Sequence, residues 1–516
     1  MKKIGFDNKK YLRLQSQNIS KRVAKFNKLY LEFGGKLFDD NHASRVLPGF
    51  EPDSKIKMLL KLKDKVEIVL VINANDIEKN KMRSDLGITY SQDLLRLIDS
   101  FNLVDLQIGG VVITHFNKQI EAIKLRKNLE KSKIKVAYHY TIENYPNNID
   151  HILSDNGFGK NEYLETSREI IVVTAPGPGS GKMATCLSQM YHDNKRGLKS
   201  GYAKFETFPI WNLPLNHPVN LAYEAATIDL SDVNMIDPFH LEAYKKIAIN
   251  YNRDVEVFPV LNDLLIRVMG KQIYKSPTDM GVNMVGNCIC DDEVCQKAAK
   301  DEIIRRYFDT EIQVRKDALP EDVLYKMETI MNKAGVTKDD RLVAVKAKHL
   351  ADKTGEPAVA IEYDGKIITG KTSKLMGASA AALLNAMKIA GNIPDVHLLS
   401  ERVLAPIQEL KTTYLHGHNP RLHTDEVLIA LAVDSITSDI CDRALKALKN
   451  LEGCDVHSSV LLSQVDINVF KKLGMHLTMD PIYQTKKLYH PISTDFLQRA
   501  VRTIRFGSLA LISAEE

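Results

Sequence analysis

The chain has 516 residues, a formal net charge of +5, 44% hydrophobic residues and 26% charged residues. These values are typical of globular proteins and exclude intrinsic disorder and collagen-like structure, and the length predicts roughly three domains. Six cysteines are too few for a disulfide scaffold. Because there is neither an apolar run of about 18 residues nor an apolar secretory segment, we expect a cytoplasmic protein without a membrane partner.

The first thirty residues are basic, with nine lysines and arginines against one acidic residue, Asp7. A basic terminus is typical of nucleic-acid or membrane binding. The charges are dispersed, however, and aromatic residues make up only 7% of the chain. We therefore expect an amphipathic first helix and no nucleic-acid partner. The apolar face of this helix would consist of Tyr11, Leu12, Ile19, Val23 and Phe26.

Strand-like and helix-like segments alternate over the first 200 residues. Strand patterns cover residues 28–33, 66–72, 110–115, 134–140 and 169–174. Helical periodicity covers residues 92–101, with Ser91 as the N-cap, and residues 118–131. Short apolar strands that alternate with helices are typical of a mostly parallel sheet with helices on its faces. The sequence therefore predicts an α/β domain over residues 1–220.

The pattern changes twice along the rest of the chain. After a proline-rich stretch the sequence predicts helices at 221–226, 240–249, 260–269, 292–308 and 321–333, and hence a mainly helical domain over 221–335. An α+β domain over 336–516 follows. It would contain a hairpin of strands 358–363 and 366–369, a small-residue helix at 377–389, and a helix at 465–473 between strands 457–462 and 476–478. The apolar run 427–433 predicts a buried core element.

A glycine-rich loop between a strand and a helix is the sharpest motif. The strand that ends at Thr174 is followed by a loop and helix start of the type that binds phosphate, in which backbone N–H groups and the helix dipole attract the anion. The candidate binding residues are Gly177, Gly179, Ser180, Gly181 and Lys182. The loop departs from the P-loop pattern, since Pro176 replaces the first glycine and Met183 replaces the Ser or Thr that holds Mg²⁺. A purely structural turn is the alternative.

Polar residues also follow the first two strands. The first strand contains Glu32 and ends in Gly-Gly-Lys36, after which come His42 and Arg45. Asn73 and Asn75 follow the second strand. In an open parallel sheet the carboxyl ends of the strands form the ligand-binding edge, which favours a site role. Turn chemistry is the alternative, because Gly, Asn and Asp are common turn formers.

Lys204 and Glu206 lie two residues apart in an extended segment, so that their side chains point the same way. They are candidates for an acid–base or phosphate-contacting pair. A surface ion pair is an equally good interpretation.

Two further clusters have no assigned role. Cys288, Cys290 and Cys295 lack the second ligand pair of a typical zinc site. The histidine-rich loop contains His416, His418 and His423 and has the composition of either a ligand site or a solvated turn. We expect no metal site in the chain.

Several segments resemble a bacterial protein family filed as a domain of unknown function, which is common in Gram-positive bacteria. They are LEFGGK (31–36), HASRVLPG (42–49), APGPGSGK (175–182), GYAKFETF (201–208), NHPVNLAYEAA (216–226), PTDMGVNM (277–284) and NPRLH (419–423). The resemblance covers essentially the whole chain. It implies an α/β portion, a helical portion and an α+β portion, and it implies no established reaction.

The leading hypothesis is an enzyme that binds a nucleotide or a phosphorylated metabolite and catalyses phosphoryl or nucleotidyl transfer, or hydrolysis. The glycine loop, with Lys36, Arg45, Asn73 and Asn75, would bind phosphate. The catalytic candidates are Lys204, Glu206, His42 and Glu32. ATP or another nucleotide is the candidate cofactor, with Mg²⁺ as a further candidate. The alternative is a non-enzymatic homo-oligomeric assembly or regulatory protein, in which the glycine loop is structural or binds an anion.

Overall fold

Seven parallel strands form the main sheet in the computed structural model of this protein, which describes residues 3–35, 37–38, 40–83 and 86–484. The chain divides into two units, Met1–Ile303 and Ile304–Glu516. The strands of the first unit are β1 Lys28–Phe33, β2 Val66–Asn73, β3 Met82–Arg83, β4 Ile88–Thr89, β5 Ile108–Phe116, β6 Val136–Tyr140, β7 Ile170–Thr174, β8 Ser200–Phe205, β9 Asn234–Ile236, β10 Ile249–Tyr251 and β11 Gly281–Val282. The predicted fold class, a mostly parallel α/β sheet followed by helical and α+β portions, is confirmed.

The main sheet has the strand order β11-β8-β1-β7-β2-β5-β6, and every neighbouring pair is parallel. The chain passes from β1 outward through β2, β5 and β6, and then returns to insert β7 between β1 and β2. The connections after β2 and β7 therefore lead in opposite directions. Such a reversal opens a crevice at the carboxyl ends of the strands, where ligands bind in open α/β sheets.

Helices cover both faces of this sheet. Those of the first unit are α1 Asn8–Val23, α2 Asn41–Val46, α3 Ser54–Leu60, α4 Ala74–Glu78, α5 Tyr90–Leu103, α6 Ile120–Lys131, α7 Ile149–Ile152, α8 Lys182–Lys195, α9 Pro218–Ala226, α10 Pro238–Tyr244, α11 Asn252–Met269, α12 Pro277–Met280 and α13 Asp292–Arg315, which contains the unit boundary. Short 3₁₀ segments lie at Lys63–Lys65, Phe158–Lys160, Ile228–Leu230 and Val285–Cys288.

One hydrophobic cluster of the first unit lies between the sheet and two of these helices. Tyr30, Val71 and Val173 of the strands are buried with Met190 of α8 and Leu264 of α11. All residues of β1 and β7 are buried, as expected for parallel strands that are covered on both faces. The packing therefore places the N-termini of α8 and α11 at the carboxyl edge of β1, β7 and β8.

The second unit is a smaller mixed sheet with helices. Its elements are α14 Asp322–Ala334, α15 Leu342–Thr354, β12 Ala358–Tyr363, β13 Lys366–Lys371, α16 Ala378–Ala390, α17 Glu401–Glu409, a π-helix Leu410–Tyr414, α18 Thr424–Asp434, α19 Asp439–Ala447, β14 Asp455–Ser458, α20 Gln464–Lys472 and β15 His476–Met479, with 3₁₀ turns at Lys338–Asp340 and Leu448–Leu451. The sheet order is β13-β12-β14-β15, antiparallel except for β14 and β15.

Several local predictions need correction. The helix expected from 92 begins at Tyr90, because Thr89 and Gln92 form a capping box; Ser91 is therefore not the N-cap. The helix expected over 240–249 ends at Tyr244, and 249–251 form β10. The run 427–433 lies in α18, but the side chains of Ile429 and Val433 are exposed. The domain boundaries expected at 220 and 335 stay predictions. However, β11, which lies within the stretch expected to be a separate helical domain, is a strand of the main sheet.

Candidate functional site

The glycine loop joins β7 to α8 at the reversal of strand order. Gly179 and Gly181 have φ angles of +71° and +87°, a left-handed conformation that favours glycine. A Cβ atom on Gly177 would lie 2.5 Å from the hydroxyl oxygen of Tyr90. The loop conformation thus requires glycine at 179 and 181, and close contact with Tyr90 requires it at 177.

Neighbouring strands hold the backbone of this loop. Thr114, in β5, donates a hydrogen bond from its hydroxyl to the carbonyl oxygen of Ser180 at 2.6 Å. The side-chain amide of Asn73 donates to the carbonyl oxygen of Gly179 at 3.3 Å. Asn75 donates its backbone N–H to the side chain of Asn73 and accepts a hydrogen bond from Gln119. Asn73 and Asn75 therefore support the loop and the start of α4 through local hydrogen bonds.

The N-terminus of α8 faces the end of the loop without a side-chain cap. Gly181 is the N-cap residue and cannot supply one, and Lys182 is the first helical residue. The hydroxyls of Ser180 and Thr185, which are 4% and 0% exposed, have no hydrogen-bond partner among the described residues. Free N–H groups and the positive end of the helix dipole attract anions, and buried hydroxyls can donate to the same ligand. The arrangement is chemically suited to phosphate.

A lysine surrounded by carboxylates lies on the neighbouring strands. Lys204 Nζ is 3.2 Å from Glu206 Oε1 and forms an ion pair with Asp254 in the first turn of α11. Glu32 lies beside Lys204 in the strand register and accepts a hydrogen bond of 2.7 Å from the hydroxyl of Tyr202. The side chains of Lys204 and Glu206 are 24% and 12% exposed, so this carboxylate cluster (Glu32, Lys204, Glu206 and Asp254) is largely buried rather than a surface ion pair.

The electrostatics of the carboxylate cluster favour a protonated acid near neutral pH. Burial raises the pKa of Glu206 to about 7, and the nearby carboxylates of Asp254 and Glu32 add to the shift against the opposing charge of Lys204. Burial opposes the charge of the lysine, but Asp254 and Glu206 outweigh it and hold the pKa of Lys204 above its usual range. Burial, together with the two neighbouring carboxylates, therefore favours the protonated form of Glu206.

Glu32 connects the carboxylate cluster to the glycine loop. It is paired in register with Val173 of β7 on one side and with Lys204 of β8 on the other. Burial raises the pKa of the Cys186 thiol, and the charges of both Glu32 and Lys182 act on it. The register thus places Glu32 between the strand that precedes the glycine loop and the strand that carries Lys204.

Sequence reasoning missed one member of this region. Asp254 is 50 residues from Lys204 in the chain and reaches it from the first turn of α11. It stands in no motif, and neither of the helices predicted nearby, 240–249 and 260–269, includes it.

Two other predicted site residues are paired with a buried acid, and a third lies outside the described part. His42 Nδ1 is 3.8 Å and Arg45 Nε is 3.1 Å from the buried carboxylate of Glu302, and the His42 ring packs edge-on against Phe208. The structure thus joins His42 and Arg45 to Glu302 rather than to the glycine loop. Lys36 lies outside the described residues.

Two of the three clustered cysteines are buried, and one of the three clustered histidines is paired with an acid. Burial raises the pKa of Cys288 to about 11 and that of Cys295 to about 12, which disfavours reactive thiolates. His423 lies 3.1 Å from Asp466, whose hydrogen bond raises the pKa of the imidazole. In the described part of the chain, no group of three or more His, Cys, Asp or Glu side chains is arranged to hold a metal ion. His416 and His418 are exposed.

Comparison with known proteins identifies relatives over nearly the whole chain. Residues 4–335 match the domain of unknown function DUF1846, N-terminal, and residues 339–489 match its C-terminal counterpart. UPF0371 proteins of Streptococcus pyogenes serotypes M5 and M18 are each 56% identical over 492 residues, which cover 95% of this chain and 100% of theirs. A UPF0371 protein of Streptococcus uberis has the same identity and coverage. The resemblance predicted from the sequence is confirmed. Among the described residues, no helix is long and apolar enough to cross a membrane.

Proposed function

This chain belongs to the DUF1846 family of unknown function, and we propose that it is an enzyme that binds a nucleotide or a phosphorylated metabolite and transfers or hydrolyses its phosphoryl or nucleotidyl group. One observation carries the proposal. The uncapped N-terminus of α8 and the carboxylate cluster lie at the carboxyl ends of adjacent strands, where the strand order reverses.

The glycine loop supplies the phosphate site in this proposal. Backbone N–H groups at the start of α8 would donate to the phosphate oxygens, and Lys182 would neutralise their charge. Ser180 would contribute its buried hydroxyl. Asn73 and Thr114 would keep the loop in its binding conformation, because they hydrogen-bond to its backbone carbonyls. The glycine conformation and the strand-loop-helix order support this assignment.

The carboxylate cluster supplies the proton chemistry. Phosphoryl transfer depends mainly on positioning and on neutralisation of charge, with a base that orients the attacking group. A general base works best when its pKa is close to the operating pH, and the pKa of Glu206 is raised to about 7 by burial. Lys204 would hold Glu206 in place and offset negative charge on the reacting phosphoryl group. Glu32 would orient both groups from β1.

A nucleotide could bring Mg²⁺ with it. Magnesium usually keeps several water ligands and binds through one or two carboxylates together with phosphate oxygens. Met183 stands where a P-loop has the metal-binding hydroxyl, so this position supplies no ligand for the ion. ATP or a related nucleotide with Mg²⁺ therefore stays the first ligand to test.

The test is calorimetric titration with ATP, GTP and sugar phosphates, with and without Mg²⁺. We expect Lys182→Ala to weaken binding by about ten-fold to a hundred-fold, since a charge-assisted contact contributes roughly 1.5–3 kcal/mol. Lys195→Ala, at the other end of α8 and exposed, is the matched control and should bind as the wild type does. Undetectable binding in all three proteins, without turnover, would contradict the proposal. It would favour the non-enzymatic assembly, which light scattering would then examine.

A further inference from the structure

A cavity of about 190 Å³ with a mixed polar and apolar lining lies beside the carboxylate cluster. Glu206 belongs to both. The other lining side chains that matter are Arg22 of α1, Trp211, His240 of α10 and Asp279 of α12. A cavity of this size has room for a small organic molecule. It lies wholly within the first unit.

The wall of the cavity is built to keep Glu206 in place. Glu206 Oε2 lies 2.7 Å from the point where a Cβ on Gly281 would stand, so only glycine leaves room for the carboxyl group there. Arg22 fixes the same strand, because its guanidinium donates hydrogen bonds to the carbonyl oxygens of Met280 at 3.1 Å and Gly281 at 2.7 Å. The carboxyl group therefore stands at the boundary between the cavity and the carboxylate cluster.

Two other lining groups have hydrogen-bonding capacity left over. Asp279 Oδ2 accepts hydrogen bonds from the hydroxyl of Tyr244 and the backbone of Lys275, and Asp279 Oδ1 lies 4.0 Å from His240 Nδ1 without a hydrogen bond. His240 uses Nδ1 toward Ser276, 3.0 Å away, which leaves Nε2. The cavity thus offers carboxylate acceptors and an imidazole nitrogen that can donate or accept, according to its tautomer.

The wall carries charges of both signs. Two acids, Glu206 and Asp279, would repel a phosphate group. The guanidinium of Arg22 offsets one of these acids and so reduces the attraction of the wall for an ammonium group. A ligand with hydroxyl groups suits this mixture, since each hydroxyl can donate to one wall atom and accept from another. The indole of Trp211 adds an apolar surface for the carbon skeleton.

We propose that this cavity is the subsite for a neutral, hydroxyl-bearing acceptor such as a sugar or another polyol. The acceptor role rests on the proposed function, whereas the binding itself does not. In the transfer, the acceptor oxygen forms a bond to phosphorus and gives its proton to Glu206. The bond from phosphorus to the leaving oxygen of the nucleotide or phosphometabolite breaks, and that oxygen keeps the electron pair.

The protein carries its own probe for this test. Trp211 is the single tryptophan of the chain and lines the cavity, so its fluorescence reports on occupancy. We expect glycerol, ribose, glucose or myo-inositol to produce a saturable fluorescence change, with calorimetry of the same titrations as the second measurement. Asp279→Asn should weaken this binding about ten-fold, because hydrogen bonds to charged groups are among the strongest. Asp229→Asn, at an exposed aspartate, should leave it unchanged.

The outcomes separate the cavity from the glycine loop. If no polyol binds by either method, or if only inorganic phosphate or ethanolamine binds, the inference is wrong. Equal weakening by Asp279→Asn and Asp229→Asn would also overturn it. Phosphate-ligand binding that depends on Lys182, without polyol binding, would leave the proposed function standing. Polyol binding without any nucleotide or sugar-phosphate binding would support the cavity and remove the phosphate site.

Discussion

Replacement of Glu206 by glutamine should remove a pH-dependent loss of stability. In the folded protein burial raises the pKa of Glu206 from 4.5 to about 7. Below pH 4.5 the carboxyl is protonated in both the folded and the unfolded state and costs nothing. As the pH rises toward 7, the unfolded chain releases this proton while the folded protein keeps it, so folding becomes less favourable. Glutamine cannot ionise, and Glu206→Gln therefore lacks this contribution.

The size of the effect follows from the shift. At about 1.4 kcal/mol per pKa unit, a rise from 4.5 to about 7 amounts to about 3 kcal/mol of unfolding free energy. The side chain is 12% exposed, so solvent screening reduces this only modestly. Lys204 loses one partner in the variant but keeps Asp254. Because Glu206 becomes charged in the folded protein only as the pH approaches 7, the lost attraction to Lys204 depends on pH. This effect is already contained in the pKa of Glu206, so it does not alter the predicted difference in slopes.

The assay is urea unfolding at several pH values between 5 and 8, followed by the fluorescence of Trp211. This residue lies in the same unit as Glu206, so the second unit does not contribute to the signal. As the pH rises, the free energy of unfolding of Glu206→Gln should increase relative to that of the wild type. Glu256→Gln, at an exposed position of α11, should follow the wild type. Parallel pH profiles for wild type and Glu206→Gln would refute the reasoning.

Two further substitutions test the supports of the site. Gly181→Ala would place a side chain at a φ of +87° and 3.2 Å from Thr114, so we expect a loss of about 1–2 kcal/mol in unfolding free energy and weaker phosphate binding; wild-type behaviour in both would show that the left-handed turn is unimportant. Tyr202→Phe removes the 2.7 Å hydrogen bond to the buried carboxylate of Glu32 and should lower the free energy of unfolding by roughly 1.5–3 kcal/mol. Urea unfolding measures this loss, and an unchanged midpoint would contradict the expectation.

The sequence predicts β1, β2, β7 and the glycine loop well because they depend on local patterns, whereas it did not identify β8 and β11 as strands. The apolar runs of β1, β2 and β7 are buried on both faces, which produces continuous hydrophobic segments. Glycine at 179 and 181 follows directly from the left-handed backbone. Such features can be predicted from the sequence because residues that are neighbours in the chain determine them.

Features that depend on distant residues were not predictable in the same way. Asp254 contacts Lys204 although the two are 50 residues apart in the chain. Glu302 contacts Arg45 although most of the sequence of the first unit lies between them. No residue spacing within a short segment predicts these contacts, because they result from the packing of α11 and α13. Val433 shows a different kind of error. The apolar run 427–433 predicts a buried element, but it forms part of α18, and the side of this helix that carries Val433 is exposed to solvent.

A crystal structure of the protein with a nonhydrolysable nucleotide or inorganic phosphate tests the central claim most directly. We expect density for phosphate oxygens at the N-terminus of α8, within hydrogen-bond distance of the backbone N–H groups that follow Gly181 and of Lys182 Nζ. The same density should be lost in crystals of Lys182→Ala. An ordered ligand bound elsewhere, while the glycine loop makes no contact with it, would contradict the account.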